Sequence, residues 1–477
     1  MTSFPLRPRA RRRIKVILVS AFVAVFLLAN TDGRIEHAEA VQGCPAKPVV
    51  DISGLQVPKD VCIPDGFGEL PIEYFDDFSW KSFIALVWPV QNGQRGIPDP
   101  AKTVSDPGPK VFETYKAQFE IFHNDGSVPA PWGVYDSVNP CRTAMQFGEV
   151  MLASFSKFAD LGQAGFGDLV GPIVAQNRTY VRFSTGFDRI EFDQITQNTL
   201  YLRSELDKAT NLTFQNGAID IKSAWIEMAG VPNPDRYYKR TAIVMDPVTG
   251  DCSPKTVGLV GLHIVQKTPS RPQWIWSSFE QIDNVPGGPD TSGKFNLHDG
   301  TVTAMPISNP FPIDPLILPV PTPFNILRIK PIHASTQSTN AAYRAKLRAV
   351  NSVWQFYQLV VTQWPVPENS PANPGSPQFT FPGLGSDQTA FSNTSMETFD
   401  QKRISRSCMA CHNSTRTKTD FLWALNDHAF PADVPGFLFK NEPLRQLQKL
   451  LSEDRPVLKA ALPKHNPQKL KIDKQPQ

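Results

Sequence analysis

The chain has 477 residues, among them 45 prolines, and a formal net charge of +3 at pH 7. A charge this close to zero excludes a polybasic protein that binds nucleic acid, and prolines spread along the whole chain exclude a simple helical bundle. The length is sufficient for a large core, in two or more domains or in one elaborated domain.

The N-terminus has the three parts of a secretory signal peptide. Residues 7–15 are basic, residues 16–29 are apolar, and residues 38–40 form an A-x-A cleavage site. The apolar run is shorter than the roughly 20 residues that span a bilayer. We therefore predict a signal peptide over residues 1–40 and a mature protein that is soluble in the periplasm. The general secretory route is favoured, and the twin-arginine route stays open.

Three helices are predicted in the first half of the mature chain. From Tyr74 to Val87 aromatic and aliphatic residues recur at helical spacing, and Pro89 ends the run. A second helix is predicted from Val111 to Phe122 and a short one from Ser204 to Leu212.

The pattern then changes to that of β-strands. Four segments alternate in hydrophobicity, are rich in β-branched and aromatic residues, and are separated by Pro, Gly, Asn and Asp. They are Ala218–Met228, Tyr237–Met245, Lys255–Lys267 and Gln273–Ile282. A turn at residues 246–251 predicts a hairpin between the second and third. The fold class that follows is α+β, with a central antiparallel sheet, flanking helices and long proline-rich loops such as residues 283–327.

The last third begins with a helix predicted from Ala341 to Gln363. Thr394 and Glu397 have the spacing of a capping box that starts a helix leading to Cys408. The predicted parts of the chain are a signal peptide, an α+β domain, a linker, a helical C-terminal haem segment and a disordered tail, over residues 1–40, 41–364, 365–385, 386–463 and 464–477.

The haem assignment rests on the pentapeptide Cys408-Met409-Ala410-Cys411-His412, which has the C-x-x-C-H spacing that attaches c-type haem. Each thiol adds across one haem vinyl group to form a thioether, and the histidine that follows ligates the iron. We predict one covalently bound haem c, with Cys408 and Cys411 as anchors and His412 as proximal iron ligand. Haem is attached after export in bacteria, so the motif and the signal peptide support each other.

Three other uses of a C-x-x-C pair fit the sequence less well. A thioredoxin-like redox site would be expected within a βαβ unit, and no such pattern surrounds Cys408. A structural zinc site needs a second ligand pair, whereas His428 and His465 stand alone. The third alternative is a plain disulfide bond.

The distal side of the haem must be supplied from upstream or by a later histidine, because no methionine follows Met409. His263 lies in a strand pattern on the face opposite its two apolar neighbours. Met305 lies in a loop from which its thioether could reach iron. We predict His263 first and Met305 second as distal ligand; a core histidine and a gap-filling methionine are the alternatives.

Trp274, Trp276 and Glu280 share one face of a predicted strand. That face is either a distal pocket with Glu280 as acid and base, as a peroxidase needs, or simply core around a hydrogen-bonded carboxylate.

Four stretches of the mature chain are familiar as a set: Gly258–Val265, Trp274–Glu280, Ser352–Leu359 and Thr362–Pro365. Together with the C-x-x-C-H site they resemble a group of large bacterial proteins of the cytochrome c family. The resemblance covers most of the mature chain. It implies haem-binding roles for Cys408, Cys411 and His412 and no substrate.

The four remaining cysteines are an even number in an oxidising compartment. We predict disulfide bonds between Cys44 and Cys62 and between Cys141 and Cys252.

The function expected from the sequence is one-electron transfer by a periplasmic monohaem cytochrome that exchanges electrons with redox partner proteins. A peroxidase-like haem oxidoreductase is the alternative, because the chain upstream of the motif is longer than a carrier needs. A haem-based sensor or binding module is the third possibility.

Overall fold

The computed structural model describes residues 43–64, 72–135, 137–153, 173–246, 249–288, 290–301, 323–364, 392–398, 401, 408–412 and 415–431. The predicted signal peptide, Met305, the linker and the tail lie outside these residues. The chain divides into two compact units; the described parts of the smaller unit are residues 43–46 and 63–64, and all other described residues belong to the larger one. Within the described residues, no helix has the length and apolar character required to cross a bilayer.

The described secondary structure of the larger unit consists of helices of 4 to 16 residues and strands of 2 to 17 residues. The helices that the described residues form, α1 to α8, are Ile72–Leu86, Gln118–Ile121, Arg189–Gln197, Arg203–Leu206, Ala334–Ala349, Cys408–His412, Arg416–Thr419 and Trp423–His428. The strands β1 to β8 are Lys116–Ala117, Val150–Leu152, Arg182–Phe187, Ile219–Glu227, Lys239–Met245, Cys252–Thr268, Arg271–Gln281 and Tyr357–Gln363. Single 3₁₀ turns lie at Val111–Thr114, Pro234–Arg236 and Val353–Phe356.

The strands of the described chain form one sheet in which β6 is central. β6 has 17 residues and is long enough to pair with β4 on one side and with β5 and then β7 on the other. β3 and β1 continue the sheet beyond β4, and β8 continues it beyond β7. These pairs are antiparallel, whereas β2 pairs with β5 in parallel. The fold is therefore α+β as predicted, and its sheet is mixed rather than antiparallel throughout.

The two faces of the sheet carry different layers because side chains alternate along β6. Leu262 lies in the largest apolar cluster of the described residues, together with Phe83 of α1. Val265 points to the opposite face and shares a second cluster with Trp276 of β7 and with Phe421. Phe421 belongs to the C-terminal segment, which is residues 408–412 and 415–431. Full burial of a side chain such as Phe83 stabilises the fold by about 2 to 3 kcal/mol. The helices α1 and α5 thus cover one face and the C-terminal segment covers the other.

The most regular predictions are confirmed. The helix predicted from Tyr74 to Val87 is α1, and the four predicted strands are β4 to β7 with shifts of three residues or fewer at their ends. The predicted hairpin joins β5 to β6, whose pairing begins at Met245 opposite Cys252.

The helix predicted from Val111 to Phe122 is wrong. The segment consists of a 3₁₀ turn, the two-residue strand β1 and the one-turn helix α2. Its backbone is extended at Tyr115, whose carbonyl accepts a hydrogen bond from the buried Arg95 at 3.2 Å. β1 pairs with the end of β3. Pairing with a neighbouring strand satisfies this backbone, so tertiary contacts override the helical spacing.

The helix predicted from Ala341 to Gln363 is wrong in its second half. α5 begins earlier, at Ala334, and ends at Ala349. Asn351 follows with a left-handed φ of 50°, a conformation that ends helices. The chain then forms β8, which pairs with β7. The run Leu-Val-Val-Thr within β8 is apolar and β-branched and suits a buried strand.

Only the first turn of the helix predicted from Ser204 to Leu212 forms, as α4. The preceding helix α3 was not predicted, although the sequence marks its start. Asp188 is its N-cap and accepts a hydrogen bond from the backbone N–H of Glu191 at 2.9 Å. A short polar residue followed three positions later by Glu is the capping pattern that signals this start.

The segment 392–398 lies against β6 and β7 and leads toward the cysteine motif. The side-chain amide of Asn393 donates to the carbonyl of Phe279 at 2.7 Å. The hydroxyl of Ser395 donates to the carbonyl of Val260 at 3.3 Å. A Cβ atom at Gly261 would overlap Oγ of Ser395 and lie 3.1 Å from Cε of Met396. Glycine at this position is what allows the segment to approach the sheet so closely.

The capping box predicted at Thr394 and Glu397 is not formed, and Asn393 and Glu397 hold this turn instead. Oδ1 of Asn393 accepts from the backbone N–H of Ser395 at 2.9 Å, and Oε2 of Glu397 accepts from that of Asn393 at 3.1 Å. Thr394 instead donates its hydroxyl to Glu280 at 2.8 Å. The predicted helix from this turn to Cys408 lies largely outside the described residues.

We expect Gly261→Ala to lower the free energy of unfolding by about 1 to 3 kcal/mol, because the added methyl group displaces a segment that is hydrogen-bonded in place. Urea unfolding measures the change. Gly133→Ala is the control, since a Cβ there meets no atom within 4 Å. Equal stability of the Gly261 variant and the wild type would refute the close approach.

Candidate functional site

The cysteine motif forms α6 and lies on the face of the sheet to which Val265 and Trp276 point. The ring of His412 lies 4.4 Å from the ring of Trp276 on β7, measured between centroids. Cys408 packs on the apolar cluster that contains Val265, Trp276 and Phe421. The motif is therefore bordered by β6 and β7 on one side and by its own following residues on the other.

His412 has a defined tautomer. Its Nδ1 atom lies 2.7 Å from the backbone carbonyl oxygen of Phe421. A carbonyl oxygen can only accept, so Nδ1 carries the proton and Nε2 carries a lone pair. Burial lowers the pKa of His412 to about 4, so the ring is neutral at neutral pH. A neutral imidazole with a bare Nε2 and an anchored Nδ1–H is the form that binds metals.

Cys408 and Cys411 are both thiols. Burial, and then the nearby carboxylate of Glu397, raise the pKa of the Cys408 thiol well above its ordinary value. Among the described residues no group of three or more His, Cys, Asp or Glu side chains is arranged to hold a metal ion. The zinc alternative therefore gains no second ligand pair from this part of the chain. Haem needs no such group, because the porphyrin supplies four of the iron ligands.

His263 lies on the same face as the motif. It is paired with Lys222 across β4 and β6, so the two side chains point to the same side of the sheet. Both side chains interact electrostatically with His412. Nε2 of His263 lies 3.5 Å from Oε2 of Glu397, which is the limit of a hydrogen bond, and the His263 side chain is 14 % exposed. The residue that the sequence ranked first for the distal side thus lies beside the motif.

Lys222, His263 and Glu397 together form a group of ionisable side chains beside the cysteines, here named the charged triad. Burial lowers the pKa of Lys222, although Glu397 and the two thiols oppose this effect. Burial tends to raise the pKa of Glu397, but His263 and Lys222 outweigh it and the net pKa is lowered. Glu397 is therefore ionised at neutral pH and stabilises the positive charge of Lys222.

Of the other residues considered for the distal side, the structure describes His428. The ring of His428 lies 6.2 Å from that of Phe122, and burial together with nearby Arg203 lowers its pKa to about 4. Met305 and His465 fall outside the described residues.

Glu280 is an anchor rather than an acid and base. Its buried carboxylate forms an ion pair with Arg328 and accepts from Nε2 of Gln358 at 3.1 Å. It also accepts from the backbone N–H of Thr394 at 3.3 Å and from the hydroxyl of the same residue. Its oxygens are occupied by donors that hold the segment 392–398 to β7. The alternative of a hydrogen-bonded carboxylate in the core is the one that the geometry supports.

Lys222 and Glu397 were not recognised from the sequence. The signal for Lys222 was the alternation Ile219, Asp220, Ile221, Lys222 in β4, which places two charged residues on one face of a central strand. Charged residues at such positions mark a face that is not ordinary core. Glu397 was seen only as part of a helix cap.

Three buried carboxylates, those of Asp188, Glu191 and Asp220, lie near the start of α3. Glu191 is fully buried, and neither of its oxygens has a hydrogen-bond partner among the described residues. Burial and the charges of Asp220 and Asp188 raise the pKa of Glu191 well above its ordinary value. Burial also raises the pKa of Asp188 to about 7, against the hydrogen bonds that it accepts. These groups are neutral in acid and become costly to the fold as pH rises.

The four cysteines outside the motif are all disulfide-bonded. Cys141 and Cys252 are joined, with their Cα atoms 5.8 Å apart, which is the pairing favoured from the sequence. Cys44 and Cys62 are also disulfide-bonded. The bond at Cys252 ties the start of β6 to the loop before β2.

Comparison with protein-family models, with curated proteins and with solved structures gave no match in any of the three.

We expect Asp188→Asn to remove part of the pH dependence of stability. The folded pKa of Asp188 is about 7, above the ordinary value of 3.8. The native state thus binds more protons than the unfolded state between these values, and this residue's contribution to stability falls as pH rises through that window. Asparagine stays neutral and keeps the N-cap. The variant should match the wild type near pH 4 and exceed it by at least about 1 kcal/mol at pH 8.

Urea unfolding at a series of pH values provides the measurement. Asp193→Asn is the control on the same helix, because Asp193 is 36 % exposed and forms a surface ion pair with Arg189. A stability difference between the Asp188 variant and the wild type that does not grow with pH would contradict the expectation.

Proposed function

We propose that this protein is a periplasmic c-type cytochrome that carries one haem c and transfers single electrons between redox partner proteins. The observation that carries the proposal is the hydrogen bond from Nδ1 of His412 to the carbonyl oxygen of Phe421, at 2.7 Å. It occurs at the histidine of the C-x-x-C-H motif. It leaves Nε2 available to the iron, as the motif chemistry requires.

The residues around the motif fit the group. Cys408 and Cys411 are thiols and would form the two thioether bonds. The cluster of Val265, Trp276 and Phe421 against Cys408 is apolar and would cover part of the porphyrin and exclude water from it. When bound, the haem supplies an iron that changes between ferric and ferrous states. The chain's own contribution is to hold that iron by a neutral, oriented imidazole in a low-dielectric site.

The sixth position is proposed for His263, with Met305 as the second choice. His263 is supported by its place on β6, on the face that carries the motif, and by its electrostatic interaction with His412. Its Nε2 atom is buried, and among the described residues its polar contact is the long one of 3.5 Å with Glu397. A buried ring nitrogen without a hydrogen-bond partner gains a partner by binding iron. Met305 is proposed from the sequence alone.

Export to the periplasm remains part of the proposal. It rests on the signal peptide over residues 1–40 and on the fact that bacteria attach haem to C-x-x-C-H motifs after export. The disulfide-bonded cysteines are in keeping with an oxidising compartment. In this proposal the α+β domain over residues 41–364 provides the sheet, and the helical segment over residues 386–463 carries the haem.

A second function, a haem oxidoreductase that acts on peroxide or a small ligand, is favoured by the charged triad. An electron carrier has no need for Lys222, His263 and Glu397 to meet beside the haem anchors. If His263 does not bind iron, it is placed with Glu397 to move a proton on the distal side. Binding of carbon monoxide to the ferrous protein separates the two functions, because a saturated iron excludes it.

The expected mass of the exported protein is that of the mature polypeptide with one haem that survives denaturation. Cys408→Ser combined with Cys411→Ser should abolish the addition, because both thioethers are lost. Cys141→Ser with Cys252→Ser is the matched control and should keep the haem. An unmodified wild-type mass in a strain that matures c-type cytochromes would overturn the proposal.

His263→Ala is expected to convert the iron from six-coordinate to five-coordinate, with a changed Soret band and rapid carbon monoxide binding. The control is His333→Asn, because His333 is the N-cap of α5 and asparagine retains that role. Absorption spectra of both redox states give the result. Identical spectra for wild type and His263→Ala would remove this residue as a ligand.

A further inference from the structure

The carbonyl that accepts the His412 proton belongs to backbone in an uncommon conformation. Asp420 has a φ of 50° and Phe421 a φ of 75°, both in the left-handed region. Trp274, whose side chain reaches this segment, has a φ of 70°. A Cβ atom makes this region unfavourable, and a bulky aromatic residue there is a genuine outlier. Such conformations persist only where surrounding contacts hold them.

The contacts that hold this segment converge on Asp420. Oδ2 of its carboxylate accepts from Nζ of Lys267 at 2.6 Å and from the backbone N–H of Phe214 at 2.8 Å. Nε1 of Trp274 donates to its backbone carbonyl at 3.0 Å. The Lys267 side chain is 2 % exposed and that of Asp420 is 7 % exposed. The ion pair is therefore buried, and its position is fixed by hydrogen bonds from three separate parts of the chain.

Lys267 is itself fixed in place. Its Nζ atom also donates to the carbonyl of Pro272 at 2.6 Å and lies 5.2 Å from the centroid of the Trp274 ring. It projects from the end of β6, so the clamp is attached to the central strand of the sheet. The orientation of the Phe421 carbonyl is thereby coupled to the sheet through Asp420.

We propose that Lys267, Asp420 and Trp274 are positioning residues for His412. They hold the Phe421 carbonyl against Nδ1–H, and so set the tautomer, the orientation and the basicity of the imidazole. This inference rests on the proposed function where it concerns iron. The effect on the tautomer of His412 belongs to the polypeptide itself.

The direction of the effect on the iron follows from the hydrogen bond. A carbonyl held close to Nδ1–H draws the proton toward itself and makes the imidazole a stronger electron donor. A stronger donor stabilises ferric iron more than ferrous iron. Loosening the clamp should weaken the hydrogen bond and raise the midpoint potential.

Lys267→Met and Asp420→Asn test this inference in the full-length exported protein. Both variants should raise the midpoint potential and weaken the Nδ1–H signal of His412 in ¹⁵N-histidine NMR, while covalent haem content stays at one. Lys267→Arg keeps the ion pair and should restore values close to the wild type. Lys239→Met is the matched control, since Lys239 forms the surface ion pair with Asp235 at 2.9 Å.

The sign of the two shifts excludes a purely electrostatic effect. Removing a positive charge near the iron lowers the potential and removing a negative charge raises it, so a field effect would move the two variants in opposite directions. Positioning through one carbonyl moves both upward. Opposite shifts, or an unchanged potential and NMR signal with only a lower melting temperature, would overturn the inference.

Trp274→Phe decides the case if either charge variant fails to fold. It keeps an aromatic ring at this buried position and removes the donor to Asp420, and the same upward shift and NMR change are required of it. If the wild type carries no covalent haem, the proposed function fails. The NMR signal of His412 then still tells whether the clamp sets the tautomer.

Discussion

Side chains alternate along β6, and this alternation assigns each residue of the central strand to one of two layers. A strand in the middle of a sheet packs against one layer on each face. A register shift of one residue would move every side chain of the strand to the opposite layer. Leu262 belongs to the apolar layer under α1, and its neighbour His263 belongs to the layer that carries the cysteine motif. Gly261 lets the segment 392–398 lie on the same strand. One strand thus determines both where the core forms and where the motif is placed.

The site tolerates charge in its interior because most of that charge is paired. Glu280 forms an ion pair with Arg328, and Asp420 forms one with Lys267. Further hydrogen bonds to both carboxylates offset most of the desolvation cost. The ion pair of Lys267 and Asp420 connects the C-terminal segment to β6. Glu280, which is paired with Arg328, connects the segment 392–398 to β7 through Thr394. Each contact fixes two parts that lie far apart in sequence. Glu191 lacks such a partner among the described residues, which makes the region around α3 sensitive to pH.

Some elements of the fold could be predicted from the sequence because they depend on local pattern. The segments of β4 to β7 alternate in hydrophobicity between clear turns, and α1 has an unbroken apolar stripe. The residues after Asn351 show the limit, since an apolar run fits a helix or a buried strand and only pairing with β7 decides between them. In the site, the motif and His263 were visible in the sequence. The hydrogen bond of His412 and the clamp at Asp420 were not, because they join positions that spacing cannot relate.

Covalent attachment of haem at Cys408 and Cys411 can be measured by acid–acetone extraction of protein purified from a strain that matures c-type cytochromes. This treatment removes haem that is held only by ligation and contacts. We expect the haem colour to stay with the precipitated polypeptide and to map to the peptide containing the C-x-x-C-H motif. Haem that passes entirely into the solvent, or a polypeptide that never carried any, would contradict it.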